Sequence, residues 1–206
     1  TPRTSSAASD VYKRQDKTVG TASTAAGALT QNNFYGLRVE DKEISLNVPD
    51  VINVVGVFES LNTAAPSFDK LTFISGLNLN TASVLGEKII GSRSGAIAQL
   101  TERTSATQVE IVYLTESKFI PGETVTFEES NITTNLQAIT LGIHLDITDR
   151  FTLDKGHKEQ YLDYSKIVRS AGSPKPTRKI TVVYNRYNVP DSDNGDIFTA
   201  VSYTHL

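Results

Sequence analysis

Two segments thirty-six residues apart repeat one pattern. VLGEKIIGSRSGAIAQL, from Val84, is answered by IPGETVTFEESNITTNLQAITL, from Ile120. Val84 matches Ile120, Gly86 matches Gly122, Glu87 matches Glu123, Ile89 matches Val125 and Ser94 matches Ser130. Each copy reads as an apolar residue, a turn glycine, an acid, a strand, a turn and a strand. Gly86 and Gly122 supply the positive φ that such a turn needs, and Ser94-Gly95 reverses the chain into AIAQL. Between the copies, TQVEIVYL sets Val109, Ile111 and Tyr113 against Gln108, Glu110 and Val112, the alternation of a half-buried strand. Two copies are too few for a solenoid. They predict a mainly β chain whose first part is a small antiparallel barrel or sandwich made from two similar hairpins.

The ends are set aside before anything is counted. Ser5 to Gln15, SSAASDVYKRQ, is the in-frame translation of a transposase-type sequencing adapter, and Val201 to Leu206, VSYTHL, is the translation of its reverse complement. Residues 1–15 and 201–206 are therefore expected to be adapter-derived and not native. Of 20 Lys and Arg, removing Arg3, Lys13 and Arg14 leaves 17; of 23 Asp and Glu, removing Asp10 leaves 22, so the formal charge moves from -3 to -5. Only His144 and His157 remain, and with no Met in the chain the gene is expected to continue on both sides.

With no Cys, disulfides, thiolate zinc sites and cysteine nucleophiles are excluded for this stretch. The mild acidity argues against nucleic acid, which calls for clustered Lys and Arg; the one basic knot, Lys175, Arg178 and Lys179, reads as a solvated strand end. No apolar run approaches the roughly 20 residues that span a bilayer.

Residues 16–33, rich in Thr, Ala, Ser and Gly, read as a linker or arm. FYGLRV, EISLNV and VINVVGVF read as three strands, the last buried on both faces, with Val51, Val55 and Val57 on one face unless a bulge near Gly56 shifts the register, and Ile52, Val54 and Phe58 on the other. The spacing assigns residues 34–141 to one β domain holding the repeat (84–100 and 120–141), and residues 142–200 to a second, truncated β-rich module. In that module IHLDI is a strand, Asp154-Lys155-Gly156 a turn, Lys158 to Tyr164 one or two helical turns, and RKITVVYNRY a strand with Ile180, Val182 and Tyr184 on one face. Pro174 and Pro176 forbid a regular helix or central strand between them.

The second module also carries a resemblance. ITDRFTLDKGHKEQYLDYSKIVRSAGSPKPTRKITVVYNRY, followed by GDIFTA, resembles a segment of large virion structural proteins of contractile-tailed, chiefly marine, bacteriophages. The matching positions are Thr148, Phe151, Asp154, Gly156, Tyr161, Asp163, Tyr164, Ser165, Ile167, Arg169, Pro176, Thr177, Gly195, Asp196, Phe198 and Thr199. Leu162 stands where relatives often carry a second Tyr, and His157-Lys158 where Gln-Arg is usual. The Gly-Glu and Ser-Gly-Ala unit is similar to short β-repeats of phage tail and baseplate proteins. The resemblance implies a tail, baseplate or fibre component without enzymatic activity, assembled in the host cytoplasm. Its partners would be other virion proteins and copies of itself, with no cofactor. A host-glycan-binding fibre module is the alternative, and a polysaccharide depolymerase a third.

Chemistry was weighed against these readings. His144, Asp146 and His157 suggest a metal site of undiagnostic spacing. Asp149, Asp154, Glu159 and Asp163 suggest an acid–base pair, against a solvated acidic face. Asp191, Asp193, Asn194 and Asp196 approximate a calcium loop with its glycine one residue early. Tyr161, Tyr164, Tyr184 and Tyr187 suggest either a sugar platform or a core and subunit contact, and the latter is preferred. The residues expected to serve assembly, or to carry the family motif, are Phe151, Asp154, Gly156, Tyr161, Asp163, Tyr164, Arg169 and Tyr184. Arg169 is expected to pair with Asp163 or a backbone carbonyl and so fix the proline loop.

Overall fold

A computed structural model describes residues 9–17, 38–160 and 162–188. In chain order they form β1 (Ser9–Lys17), β2 (Glu43–Ser45), β3 (Val51–Ser60), β4 (Asp69–Phe73), α1 (Leu79–Ala82), β5 (Lys88–Gly91) and β6 (Ile97–Ser105). There follow β7 (Gln108–Tyr113), β8 (Thr124–Phe127), β9 (Thr133–Thr140), β10 (His144–Asp146), a 3-10 turn (Thr148–Arg150), β11 (Phe151–Asp154), β12 (Lys166–Arg169) and β13 (Ile180–Asn188). The chain is mainly β, as its punctuated β-branched runs predict.

The repeat folds as two hairpins, β5–β6 and β8–β9. With β4 and β7 they close into a six-stranded barrel in the order β4-β7-β6-β5-β8-β9. At the seam Ile89 faces Phe127, Ile90 faces Thr126 and Gly91 faces Val125. Ile90 and Thr126 are themselves thirty-six residues apart, so the pseudo-dyad of the repeat passes through that pair. The local bonds obey it: Gly86 N donates to Leu100 O at 2.9 Å and Gly122 N to Leu136 O at 2.7 Å. Gly86 and Gly122 have φ of 90° and 82°, as expected, and Gly95 (64°) is matched in the second copy by Asn131 (54°), a residue type that tolerates this region. Leu71, Phe73, Ile89, Leu100, Ile111, Val125, Phe127 and Leu136 fill the barrel, each worth about 1.5–3 kcal/mol of burial.

The pairing cuts across the 141/142 boundary drawn from sequence. β3 lies between β13 and β10 in a sheet ordered β1-β13-β3-β10, and β2 joins β12 in a second sheet ordered β11-β12-β2. These two sheets share a core of Val39, Ile44, Leu46, Val51, Val57, Ile147, Phe151, Ile167, Ile180, Val182 and Tyr184. The barrel is thus an insertion between β3 and β10. Composition does not register this, because strand pairing is made by backbone groups far apart in sequence.

β3 is buried from Gly56 to Ser60 while Ile52 to Val55 stay partly or wholly exposed, and the register shifts at Val55, beside Gly56, and again at Ile52. The shift lets Val51, Val54 and Val57 reach one core while Val55 and Phe58 reach another, shared with Phe68, Val112 and Val183. Gly56 makes room for this: a Cβ there would lie 2.3 Å from the Phe58 ring. Phe58 meets Phe68 edge to face at 4.9 Å, which ties the sheet to the barrel.

β1 runs antiparallel along all of β13. Its residues 9–15 are those ascribed to the adapter; the main-chain ladder holds them, and Arg14 adds a side-chain bond to Glu110 Oε1 at 2.7 Å and lies over the Phe68 ring. Asp16 and Lys17 anchor its end, through Thr181 Oγ1 to Asp16 Oδ1 and Lys17 Nζ to Ser45 O, both 2.6 Å.

Other expectations need correction. No helix forms at 158–164 among the described residues; instead His157 bridges Leu162 and Asp163 N donates to Gly156 O at 2.8 Å. Gly156, at φ 79°, turns the chain back on itself before a helix can start. The short helix is α1, in a stretch left unread, capped where Asn78 Oδ1 accepts from Asn80 N at 3.1 Å. Of FYGLRV, residues 34–37 lie outside the described residues, while Arg38 and Val39 sit in a turn closed by Asp41 rather than a strand. IFTA, residues 197–200, also lies outside them.

Candidate functional site

Three buried acids of this chain, Glu59, Glu87 and Glu123, hold backbone. Glu87 Oε1 accepts from Val84 N at 2.6 Å, and its carboxylate receives Ser130 N (3.0 Å) and Ser130 Oγ (2.9 Å) from the other copy. Glu123 mirrors it, accepting from Ile120 N (2.7 Å), Arg93 N (3.1 Å), Ser94 N (3.0 Å) and Ser94 Oγ (2.9 Å). Both side chains are fully buried. Burial by itself would raise the Glu123 carboxyl, but the donors from Ile120, Ser94 and Arg93 outweigh it and hold the group below its ordinary value. Glu59 is buried too and accepts from Thr177 N (2.7 Å) and Arg178 N (3.0 Å).

The motif residues separate into inside and outside. Phe151 and Tyr184 belong to the sheet core, where burial pushes the Tyr184 phenol up. Asp154 accepts from Gly156 N at 2.9 Å, the main cause of its lowered carboxyl, with Lys158 at 3.1 Å assisting. Gly156 has no room for a side chain, since a Cβ would lie 2.2 Å from Asp163 O. Asp163 Oδ1 takes Tyr164 N at 2.8 Å. Tyr164 is 47% exposed and Tyr187 54%. Tyr161 lies outside the described residues. Tyr164 and Tyr187 therefore form no common platform with Tyr184, which is in the core.

Arg169 reaches the Glu40 carbonyl at 3.5 Å, and its own N–H donates to Lys42 O at 2.8 Å, so it steadies the 38–42 turn. The proline loop is held by Glu59 instead. The sequence does not single out Glu59; Ser165, a matching motif position, is fully buried, accepting from Val51 N and donating to Lys155 O. The recurrence of Glu and Ser at one offset was the available signal for Glu87 and Glu123.

The histidines stand apart. His144 Nδ1 lies 2.8 Å from Ser67 O and its ring packs on Phe58 and Phe68. With Asp146, Asp69, Tyr113 and Lys118 it lines a cavity of about 150 Å³. Asp146 Oδ1 is taken by Thr148 N (2.9 Å) and Oγ1 (2.6 Å), while His157 Nε2 lies 3.7 Å from Asp50. Among the described residues no three His, Asp or Glu side chains group to hold a metal ion. The loop of Asp191, Asp193, Asn194 and Asp196 lies outside them.

A larger groove, about 500 Å³, runs where barrel meets sheet, lined by Asn53, Val54, Val55, Lys88, Gln99, Tyr113, Leu114, Glu128, Glu129 and Asn185. Gln99 Nε2 bridges the modules, donating to Gly86 O at 2.9 Å and Asn185 Oδ1 at 3.0 Å. Its Oε1 is buried without a partner. None of Asp149, Asp154, Glu159 and Asp163 lines this groove or the smaller cavity.

No family model matches the chain, and no curated protein or solved structure matches it either. Its geometry must speak alone. No helix among the described residues is long and apolar enough to cross a membrane.

Proposed function

We propose that this chain is an architectural component of a phage virion, in the tail, baseplate or tail fibre, acting through protein–protein assembly and turning over no substrate. The observation that carries the reading is how the motif stretch is used. Phe151, Ile167 and Tyr184 pack in one core, while Asp154, Gly156 and Ser165 fix the turns between their strands. Such residues build a rigid shape, and none of Asp149, Asp154, Glu159 and Asp163 stands over the groove or the smaller cavity. The partners would be neighbouring virion proteins and further copies of this chain. Mass spectrometry of purified virions of the source phage tests it: peptides from residues 38–188 should appear at structural-protein abundance. Their absence from intact particles would sink the proposal.

A second reading, a glycan-binding fibre module, is favoured by the groove at the junction. Its amides, its near-balanced charges and the ledge of Val54, Val55 and Leu114 suit a polyhydroxylated ligand. Glycan-array binding abolished by Gln99→Leu would favour it.

A further inference from the structure

β10 is the last strand of its sheet, and among the described residues its outer edge is unpaired and flanked by apolar side chains. Ser60 N donates to Lys179 O, toward the β13 side, so the backbone of Glu59 faces the other way, to β10. Leu145, in register with Glu59, therefore points its own N–H and C=O at β3. Ile143 exchanges both its bonds with Ser67 on that same side. His144 and Asp146 are left directing their backbone groups outward. Ile143, 52% exposed, and Leu145, 42% exposed, stand two residues apart on one face beside that edge, and Leu141, 77% exposed, precedes them. An edge strand with exposed apolar side chains is a template for another strand.

We infer that β10 is a self-association surface, pairing antiparallel with β10 of a second copy about a dyad through Leu145. The choice of a second copy follows from charge. An antiparallel partner must bring its own outward-facing residues into register, which allows a dyad at His144, at Leu145 or at Asp146. The first sets imidazole against imidazole and the last sets carboxylate against carboxylate. The dyad at Leu145 alone puts His144 opposite Asp146 of the partner subunit and, by symmetry, Asp146 opposite His144 of the partner subunit, the complementary cross-strand arrangement. The two four-stranded sheets then run on as one, and the two Leu145 side chains meet at its centre with Ile143 alongside.

This surface rests on the assembly reading and gives it a contact. The test uses the full chain, which contains no cysteine. A pair flanking the dyad without mutual hydrogen bonds brings its Cα atoms to about 4.5 Å, within the range a disulfide spans. Leu145→Cys should therefore oxidise with diamide to a covalent dimer, whereas Asn80→Cys, exposed on the barrel, should stay monomeric. By sedimentation velocity the unaltered chain should dimerise, and Leu145→Lys should raise the dissociation constant at least 100-fold with an unchanged thermal midpoint. A monomeric unaltered chain, or a dimer indifferent to Leu145→Lys, overturns the inference. In the second case the assembly reading stands, because the copies then meet elsewhere; that reading fails separately, if virions lack the peptides.

Discussion

Glu87 closes on Ser130 and Glu123 closes on Ser94, so each repeat unit of the barrel is locked by the acid of the other. Neither carboxylate has a cation within salt-bridge distance among the described residues; backbone N–H and hydroxyl donors alone compensate its burial. Removing either acid strands several buried donors at once, each costing about 1–3 kcal/mol. Glu123→Ala should lower unfolding free energy by about 4 kcal/mol and Glu123→Gln by about 2 kcal/mol in urea titration. Glu87→Ala should behave alike. A loss under 1 kcal/mol for both alanine variants would contradict the lock.

The same group predicts a pH dependence. Glu123 has a folded value held below the unfolded one, near 4.3. Its contribution is then fully present above about pH 4.3 and is lost as pH falls through the folded value. Stability measured from pH 6 to pH 2 should fall more steeply for the unaltered chain than for Glu123→Gln. Parallel curves would show that Glu123 does not titrate differently in the two states.

How far the sequence foretold this structure is seen in these residues. The thirty-six-residue offset made the two hairpins and their turn glycines legible, because that signal is local. It did not reveal that Glu87 serves the opposite copy, since the swap exists only once the strands close around a dyad. Likewise Ile180, Val182 and Tyr184 were read as one face, and they share one core. That β2 and β3 belong to that same core is a long-range pairing which no window of sequence contains. Phe151 and Tyr184, named among the motif residues, are both interior; only burial in three dimensions separates them from exposed Tyr164 and Tyr187.

Lys17 is fully buried with its ammonium on Ser45 O, and desolvation pushes it down to about 8. A lysine unfolded near 10.4 holds a proton there that the folded state has released, so stability should rise between about pH 8 and pH 10. The span corresponds to about 3 kcal/mol. Lys17→Met should flatten this rise and stabilise the protein at pH 7 by about 1 kcal/mol, since the lost bond to Ser45 O offsets part of the gain. Identical profiles from pH 8 to pH 10 would refute the assignment.

Gly156 and Gly172 share a positive φ, 79° and 83°, but differ in what surrounds them. At Gly172 a Cβ meets nothing within 4 Å; at Gly156 it meets Asp163 O at 2.2 Å. Gly172→Ala should cost about 1 kcal/mol, the backbone term alone. Gly156→Ala must also displace backbone and should cost at least about 3 kcal/mol. Equal losses in thermal denaturation would show that the Asp154–Asp163 turn yields freely.

The proline loop supplies the last contrast. Glu59 receives two backbone N–H groups from it, whereas Arg169 only touches the Glu40 carbonyl at 3.5 Å, at the far limit of a hydrogen bond. Glu59→Ala should cost about 2–3 kcal/mol and free residues 171–179, so that native-state trypsin cleavage after Arg178 and Lys179 accelerates at least tenfold. Arg169→Ala should cost under about 1 kcal/mol and leave that cleavage unchanged, because the turn at 38–42 keeps its bond from the Arg169 main chain. The comparison separates two anchors that the sequence alone confounded: a loop rich in proline is stiff in itself, but its position on the sheet depends on the one acid beneath it. Faster cleavage in Arg169→Ala than in Glu59→Ala would reverse the assignment.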